Sequence, residues 1–297
     1  MGGGRLVFVF AHPDDESFFC AGTMARHVAS GGEVALISAT RGEHGSQPEP
    51  PVCRPEELGR VRSAELRRAC RILGVKRLSF LGYEDGRLAE ADFRRAVRRL
   101  AGALARYRPD AVVTFGPEGV YGHPDHVAIH RLTVAAFEKA FGGPRRPPGP
   151  ERRLWYVAPP SASWRYRPHD WTPKPPGRRE SSPGPASGRA PSARPVPTVP
   201  TPDAAIDIQD YLPVKAAALL AHRSQRHNIE RAFGALWDLE AGTPRSPEAA
   251  AALGREDYIL ARGPRPAGLL VDSLLSDGRS DGRSDGRSDG RSSGQGS

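Results

Sequence analysis

The sequence predicts an α/β fold: a Rossmann-like, mostly parallel sheet with helices on both faces. Three observations predict it. A continuous apolar run at residues 6–10 and mostly apolar ones at 34–39, 78–81 and 111–115 have the pattern of strands buried on both faces. Segments with helical spacing of apolar residues separate these runs, so successive strands must be joined by right-handed crossovers. The 297 residues fit one such domain with irregular additions.

Taken in order, residues 6–10 form the first strand, and the motif AHPDDE at 11–16 follows it directly. Residues 17–30 read as a helix stopped by Gly31 and Gly32, and 34–39 as the second strand. In 54–73, Leu58, Val61, Leu66, Ala69 and Ile72 recur near helical spacing, with Gly74 just past the end. Residues 78–81 are the third strand, 93–107 the third helix and 111–115 the fourth strand. The motif YGHPDH at 121–126 comes next, with a helix beginning near Val127. Later, 204–208 and 258–261 read as strands and 214–224 as a helix. Ligands of such sheets sit beyond the carboxyl ends of the strands, where both His-and-Asp motifs fall. Two segments 110 residues apart are thus brought to one sheet edge.

The formal net charge of +9 suggests a polyanion partner until it is located. Residues 142–202 hold ten Arg and one Lys against Glu151, Asp170 and Glu180, a local +8, so the remainder is nearly neutral. A polyanion-binding protein would have to act through this Arg- and Pro-rich insert, where Trp164 and Tyr166 stand beside Arg165 and Arg167. The neutral core and the lack of a recognisable binding fold argue against nucleic acid. The expectation is one catalytic domain over 1–275, interrupted by an insert at about 142–203. Trp155, Trp164, Tyr166 and Trp171 should dock the first half of the insert, while 173–202 should be disordered. Residues 276–297 carry four SDGR repeats without an apolar side chain and should be a flexible tail. Cys20, Cys53 and Cys70 make no CxxC pair, so a disulfide framework is not expected. With no apolar run long enough for a signal peptide or a membrane span, a cytoplasmic protein is expected. Oligomeric state stays open, a homo-oligomer included.

His12 and Asp15, three residues apart on a turn, can place a nitrogen and a carboxylate oxygen on one metal ion, and His126 can supply a third ligand. Two His and one carboxylate leave positions open for water and substrate, as in catalytic zinc and also in non-haem iron(II). Asp14, beside a ligand but not needed as one, suits the base that takes a proton during attack on a carbonyl. One HPD is usually a turn, but two of them, each after a buried strand on the ligand side, point to chemistry.

These residues resemble the PIG-L and LmbE-like family of zinc-dependent N-acetylglucosaminyl deacetylases, which includes the deacetylases of mycothiol and bacillithiol biosynthesis. AHPDDE and HPDH carry the resemblance, with TRGE at 40–43, RSAEL at 62–66, LGYEDG at 81–86, Lys215 and HRSQ at 222–225. It covers about 5–141 and 204–262, leaving the insert and the tail aside. The resemblance implies hydrolysis of the N-acetyl group of an N-acetylglucosamine conjugate of a small polar molecule, releasing acetate and the free amine. It implies zinc on His12, Asp15 and His126 and general base action by Asp14. It also implies His123 as the group that protonates the amine or steadies the tetrahedral intermediate, oriented by Asp125. Tyr121 would face the oxyanion, and Arg62 and Asp85 would hold sugar hydroxyls. A thiol S-conjugate amidase using the same site is the nearest competing reading.

Overall fold

The computed structural model describes residues 3–142, 151–158, 201–269 and 271–275. Five strands run parallel: β1 (Arg5–Phe10), β2 (Glu33–Ser38), β3 (Arg77–Phe80), β4 (Ala111–Phe115) and β5 (Arg153–Val157). Four more follow, β6 (Ala204–Asp207), the short hairpin β7 (Trp237–Asp238) and β8 (Thr243–Pro244), and β9 (Arg255–Arg262). The main sheet has the order β3-β2-β1-β4-β5-β9-β6, with β9 antiparallel to both neighbours. The chain therefore builds outward from β1 in one direction and then restarts at β4 on its other side. That reversal opens a crevice at the carboxyl ends of β1 and β4, the place where such sheets bind ligands.

The helices are α1 (Asp15–Phe19), α2 (Ala21–Ala29), α3 (Leu58–Ile72), α4 (Phe93–Tyr107), α5 (Gly119–Gly122), α6 (Pro124–Phe141), α7 (Leu212–Ala221), α8 (Arg226–Phe233) and α9 (Pro247–Leu253). α2, α3 and α7 pack together as one layer and α4 and α6 as the other. The apolar runs are fully buried between the layers, Phe8, Val9, Val112, Val113 and Phe115 among them. Among the described residues, no helix is long and apolar enough to cross a membrane.

Three departures from the sequence expectation bear on the site. The helix expected over 17–30 is two helices, broken at Cys20. The break has a cause: the Glu256 carboxylate accepts the N–H groups of Gly22 and Thr23 at 3.1 and 2.8 Å, capping a new helix start. α1 consequently begins inside AHPDDE, with Asp15 and Glu16 in its first turn. α6 starts at Pro124 instead of near Val127, because His123 caps it by accepting the Asp125 N–H on Nδ1 at 3.1 Å. The short segments α8, β7, β8 and α9 were not foreseen, being too brief to show a period.

The end of the described chain is stitched to the sheet. Trp155 donates its indole N–H to the Leu274 carbonyl at 3.1 Å, and Arg153 Nη1 donates to the Leu275 carbonyl at 2.9 Å. The docking of Trp164, Tyr166 and Trp171, the extended stretch after 173 and the SDGR tail all lie outside the described residues. A chain ending at Leu275 keeps both stitches and every motif, so its kcat/KM should stay within about threefold of the full chain and its melting temperature should not move. A large loss of either would mean that the tail belongs to the working domain.

Candidate metal centre

β1 delivers the AHPDDE turn to the crevice, and the turn is held by its own side chains. Asp15 Oδ2 accepts the N–H groups of Ala11 and His12 at 3.1 and 2.8 Å, folding the carboxylate back over the end of the strand. Asp14 sits at φ 109°, a left-handed conformation that costs strain for a residue with a Cβ. On the other side of the crevice, Gly119 at φ +62° leaves no room for a Cβ, which would lie 2.9 Å from His126 Cβ. That close approach puts the Gly119 carbonyl 3.2 Å from His126 Nδ1. Phe115, the last residue of β4, stacks on the His126 ring at 4.0 Å between centroids.

Hydrogen bonding fixes the tautomers of two imidazoles. A carbonyl only accepts, so His126 Nδ1 carries the proton given to Gly119 and Nε2 presents a lone pair. His12 Nε2 faces Asp85 Oδ1 at 3.0 Å and Asp125 Oδ2 at 3.3 Å, so it carries the one proton of the neutral ring, which leaves Nδ1 bare in that form. The two bare nitrogens face each other at 3.2 Å. Asp15 closes the group, with Oδ1 3.4 Å from His126 Nε2 and Oδ2 3.7 Å from His12 Nδ1. Two lone pairs and a carboxylate converging in a buried place repel unless a cation stands between them. The donors therefore fit a divalent metal, and each histidine has the outer partner that metal-ligating histidines use to fix their ring. Burial works against a charge on His12, yet Asp85, Asp125 and Asp15 outweigh it and hold its pKa well above the ordinary imidazole value, so without a metal a proton takes the Nδ1 position that a metal would displace it from. Burial would likewise raise Asp15, but His126 and His12 hold it at about 2, so this ligand is anionic throughout the neutral range.

Two other groupings of possible ligands occur among the described residues: His12, His123 and His126, and His12, Asp85 and Asp125. The second would require the His12 Nε2 proton to leave the two carboxylates that orient the ring. In the first, His123 Nδ1 already accepts from the Asp125 amide, which makes Nε2 the N–H of a neutral ring. We therefore read His123 as a donor at the edge of the centre.

Asp14 and His123 have displaced acidities. Burial pushes the Asp14 carboxyl up to about 7, although Arg62 pulls it down, and the adjacent Asp15 adds to the rise. Arg62 is almost fully buried and reaches Asp14 Oδ2 at 3.2 Å, the Pro13 carbonyl at 2.6 Å and the Gly42 carbonyl at 3.1 Å. Gly42, at φ +67°, must be glycine because a Cβ there would overlap the Arg62 guanidinium. Burial, and then the charges of His12 and His126, press His123 down to about 3. Tyr121 lies edge-on to His126 and His123, with centroids 5.1 and 6.0 Å away.

The structure brings all nine expected residues to one place but gives three of them different partners. The Asp125 carboxylate accepts from Gly86 N, Leu88 N and His12 Nε2, so it orients His12; what His123 receives from residue 125 is its backbone N–H. Asp85 accepts from His12 with one oxygen and from the His44 amide, at 3.0 Å, with the other. Both its oxygens are thus engaged within the protein. Arg62 is likewise turned to Asp14 and to two carbonyls. Sequence reasoning missed Glu16, the last letter of AHPDDE, and left His222 unassigned. These two are fully buried and 2.8 Å apart. It also missed Glu65, which accepts from Ser224 N and Oγ, and the Lys215–Glu256 ion pair at 2.7 Å. The signal was present as acids and bases inside or beside apolar helices and strands, but nothing in the sequence paired them.

The profile of the family PIG-L, GlcNAc-PI de-N-acetylase, matches residues 7–137. A 1D-myo-inositol 2-acetamido-2-deoxy-alpha-D-glucopyranoside deacetylase of Thermobifida fusca is 35% identical over 248 residues, covering 74% of this chain and 83% of that one. The enzyme of the same name from Thermomonospora curvata is 34% identical over 300 residues, covering 86% and 96%. Among solved structures, the conserved protein TT1542 from Thermus thermophilus superposes with a TM-score of 0.55 at 28% identity, covering 87% of this chain and 95% of that one.

Proposed function

The chain belongs to the PIG-L family of de-N-acetylases, and we propose that it is a metal-dependent hydrolase of the N-acetyl group of an N-acetylglucosamine conjugate with a small polar aglycone. The observation that carries this reading is the pair of bare imidazole nitrogens and the Asp15 carboxylate converging beside a carboxyl poised near neutrality. The relatives' named substrate, an N-acetylglucosaminide of myo-inositol, is the class we propose for the sugar and its aglycone. A divalent ion on His12, Asp15 and His126, which we assign as zinc ahead of iron(II), would polarise the amide carbonyl and acidify a water.

The remaining work belongs to the chain. Asp14, as carboxylate, takes the proton of the attacking water and delivers it toward the leaving nitrogen. Arg62 fixes the direction of that carboxylate. His123 stays neutral because burial and its two imidazole neighbours keep it from charging, so its Nε2–H donates to the oxygen where negative charge develops. Tyr121, at the same edge, is assigned to that oxygen as well. Asp85 and Asp125 hold His12, and Arg62 and Asp85, both buried and engaged within the protein, serve Asp14 and His12 in place of the sugar hydroxyls expected of them.

The assay is acetate release from N-acetylglucosaminyl-inositol set against a thiol S-conjugate amide. Release from the first is expected; cleavage of the S-conjugate with the acetyl sugar left intact would overturn the reading. The pH dependence follows from Asp14. It works only when ionised, so rate is lost as pH falls through its pKa, and burial has moved that pKa up to about 7 while a bound cation moves it down. The acid limb of kcat/KM should therefore lie no higher than about 7. His123, at about 3, adds no second limb there. An acid limb well above 7 would remove Asp14 from the role.

A further inference from the structure

We propose that His222 is a positioning residue for Asp14, acting through Glu16. The inference rests on the reading of Asp14 as the base and assigns a task to two residues so far without one.

Asp14 needs an external hold. Its backbone lies at φ 109° and ψ −27°, and its side chain makes no capping bond to α1, so the helix it precedes does not fix the carboxylate. Two groups do. Arg62 grips the side chain at Oδ2, and Glu16 Oε2 accepts the Asp14 backbone N–H at 3.1 Å. Glu16 can hold that amide only if its own carboxylate is fixed. Its other oxygen accepts from Ser17 Oγ at 2.6 Å and from His222 Nε2 at 2.8 Å. Ser17 travels with the same turn, whereas His222 comes from the C-cap of α7, 206 residues further along the chain. It therefore ties the Glu16 side of the strained turn to α7, as Arg62 ties the Asp14 side chain to α3.

Stability alone does not account for the pair. His222 is 0% exposed and Glu16 1%, and a buried ion pair gains little over two packed apolar side chains because both charges lose their hydration. Among the described residues His222 Nδ1, which is buried, has no hydrogen-bond partner, a further cost to folding. An arrangement that spends stability on a non-glycine residue in a left-handed conformation beside the reacting centre is the pattern of strain retained for positioning.

The test is a double-mutant cycle with Asp14→Asn, read by kcat, KM, metal content and amide exchange. His222→Leu should lower kcat by about 10- to 100-fold while KM stays within about twofold, the cost of a misplaced catalytic group. Metal content should not change. His222→Gln, which keeps a donor for Glu16, should recover most of the loss. In the Asp14→Asn background neither change should lower the residual rate further, since the group they position is already gone. An equal proportional loss in both backgrounds, or a loss that tracks metal content, would overturn the proposal. Should His222→Leu fail to fold, His222→Gln and Glu16→Gln carry the same comparison. The exchange rate of the Asp14 amide is independent of any substrate and should rise by about tenfold or more when its acceptor is loosened. Unchanged exchange overturns the positioning role even if the enzyme is active. A wild-type protein with a protected Asp14 amide and no activity on any acetylated sugar instead overturns the proposed function.

Discussion

Asp14→Asn should leave the fold and the metal content intact while kcat falls by about 10²- to 10⁴-fold with little change in KM. The structure makes this substitution unusually clean. Asparagine tolerates the left-handed φ as well as aspartate does, so the 109° backbone is not disturbed. Its side-chain oxygen can still accept from Arg62, and because Asp14 makes no side-chain cap to α1, no cap is lost. What disappears is the capacity to take a proton. Stability should move the other way. The folded Asp14 pKa of about 7 lies above the unfolded value of 3.8, so in metal-free protein ionising it weakens the fold progressively as pH rises from the lower figure to the higher. Asparagine removes that penalty, and the metal-free variant should melt no lower than wild type at pH 8. Calorimetry, elemental analysis and turnover on one preparation settle the matter: near-normal kcat, or a melting temperature that falls with activity, would end the base assignment.

The sheet was readable because its strands are buried on both faces, which leaves apolar runs with clear ends. Residues 93–107 and 111–115 come out with the bounds expected of them. The reversal of strand order at β1 and β4 then explains why two motifs far apart in sequence share one crevice. The break at Cys20 was not readable, since it depends on Glu256 arriving from an antiparallel strand to cap α2. The same limit governs the site. His12, Asp15 and His126 announce themselves because the residue types that bind metal recur in two matching motifs. Their outer partners do not: Asp125 stands two residues from His123, yet its carboxylate turns to His12, a choice made by the amides of Gly86 and Leu88 that position it. Asp85 is expected from the resemblance to hold sugar hydroxyls, and only packing reveals its bond to His12. Glu16 lies in plain view in AHPDDE, but its partner stands on another helix.

His126→Ala should abolish stoichiometric metal binding, and the loss should show in stability as well as in activity. Of the three proposed ligands, His126 has the least freedom: it is 1% exposed, stacked on Phe115 and anchored through Nδ1 to Gly119. Removing it leaves one imidazole and one carboxylate, too few donors to hold zinc against water. A metal bound at about 1,000 times its Kd stabilises the folded chain by about 4 kcal/mol, so exhaustive chelation should lower the wild-type melting temperature by many degrees. The same treatment should leave His126→Ala where it was, because there is nothing to remove. Truncation also opens a cavity beside Phe115, which on its own costs about 2 kcal/mol or more. The response to chelator, and not the absolute melting temperature, is therefore the quantity to compare. His126→Gln separates the two effects, since it fills most of the space without restoring an imidazole lone pair. Equal chelator shifts in wild type and His126→Ala, or a wild-type enzyme fully active after chelation, would take the metal out of this crevice. In that event the facing nitrogens of His12 and His126 would have to share a proton instead, which the raised pKa of His12 permits.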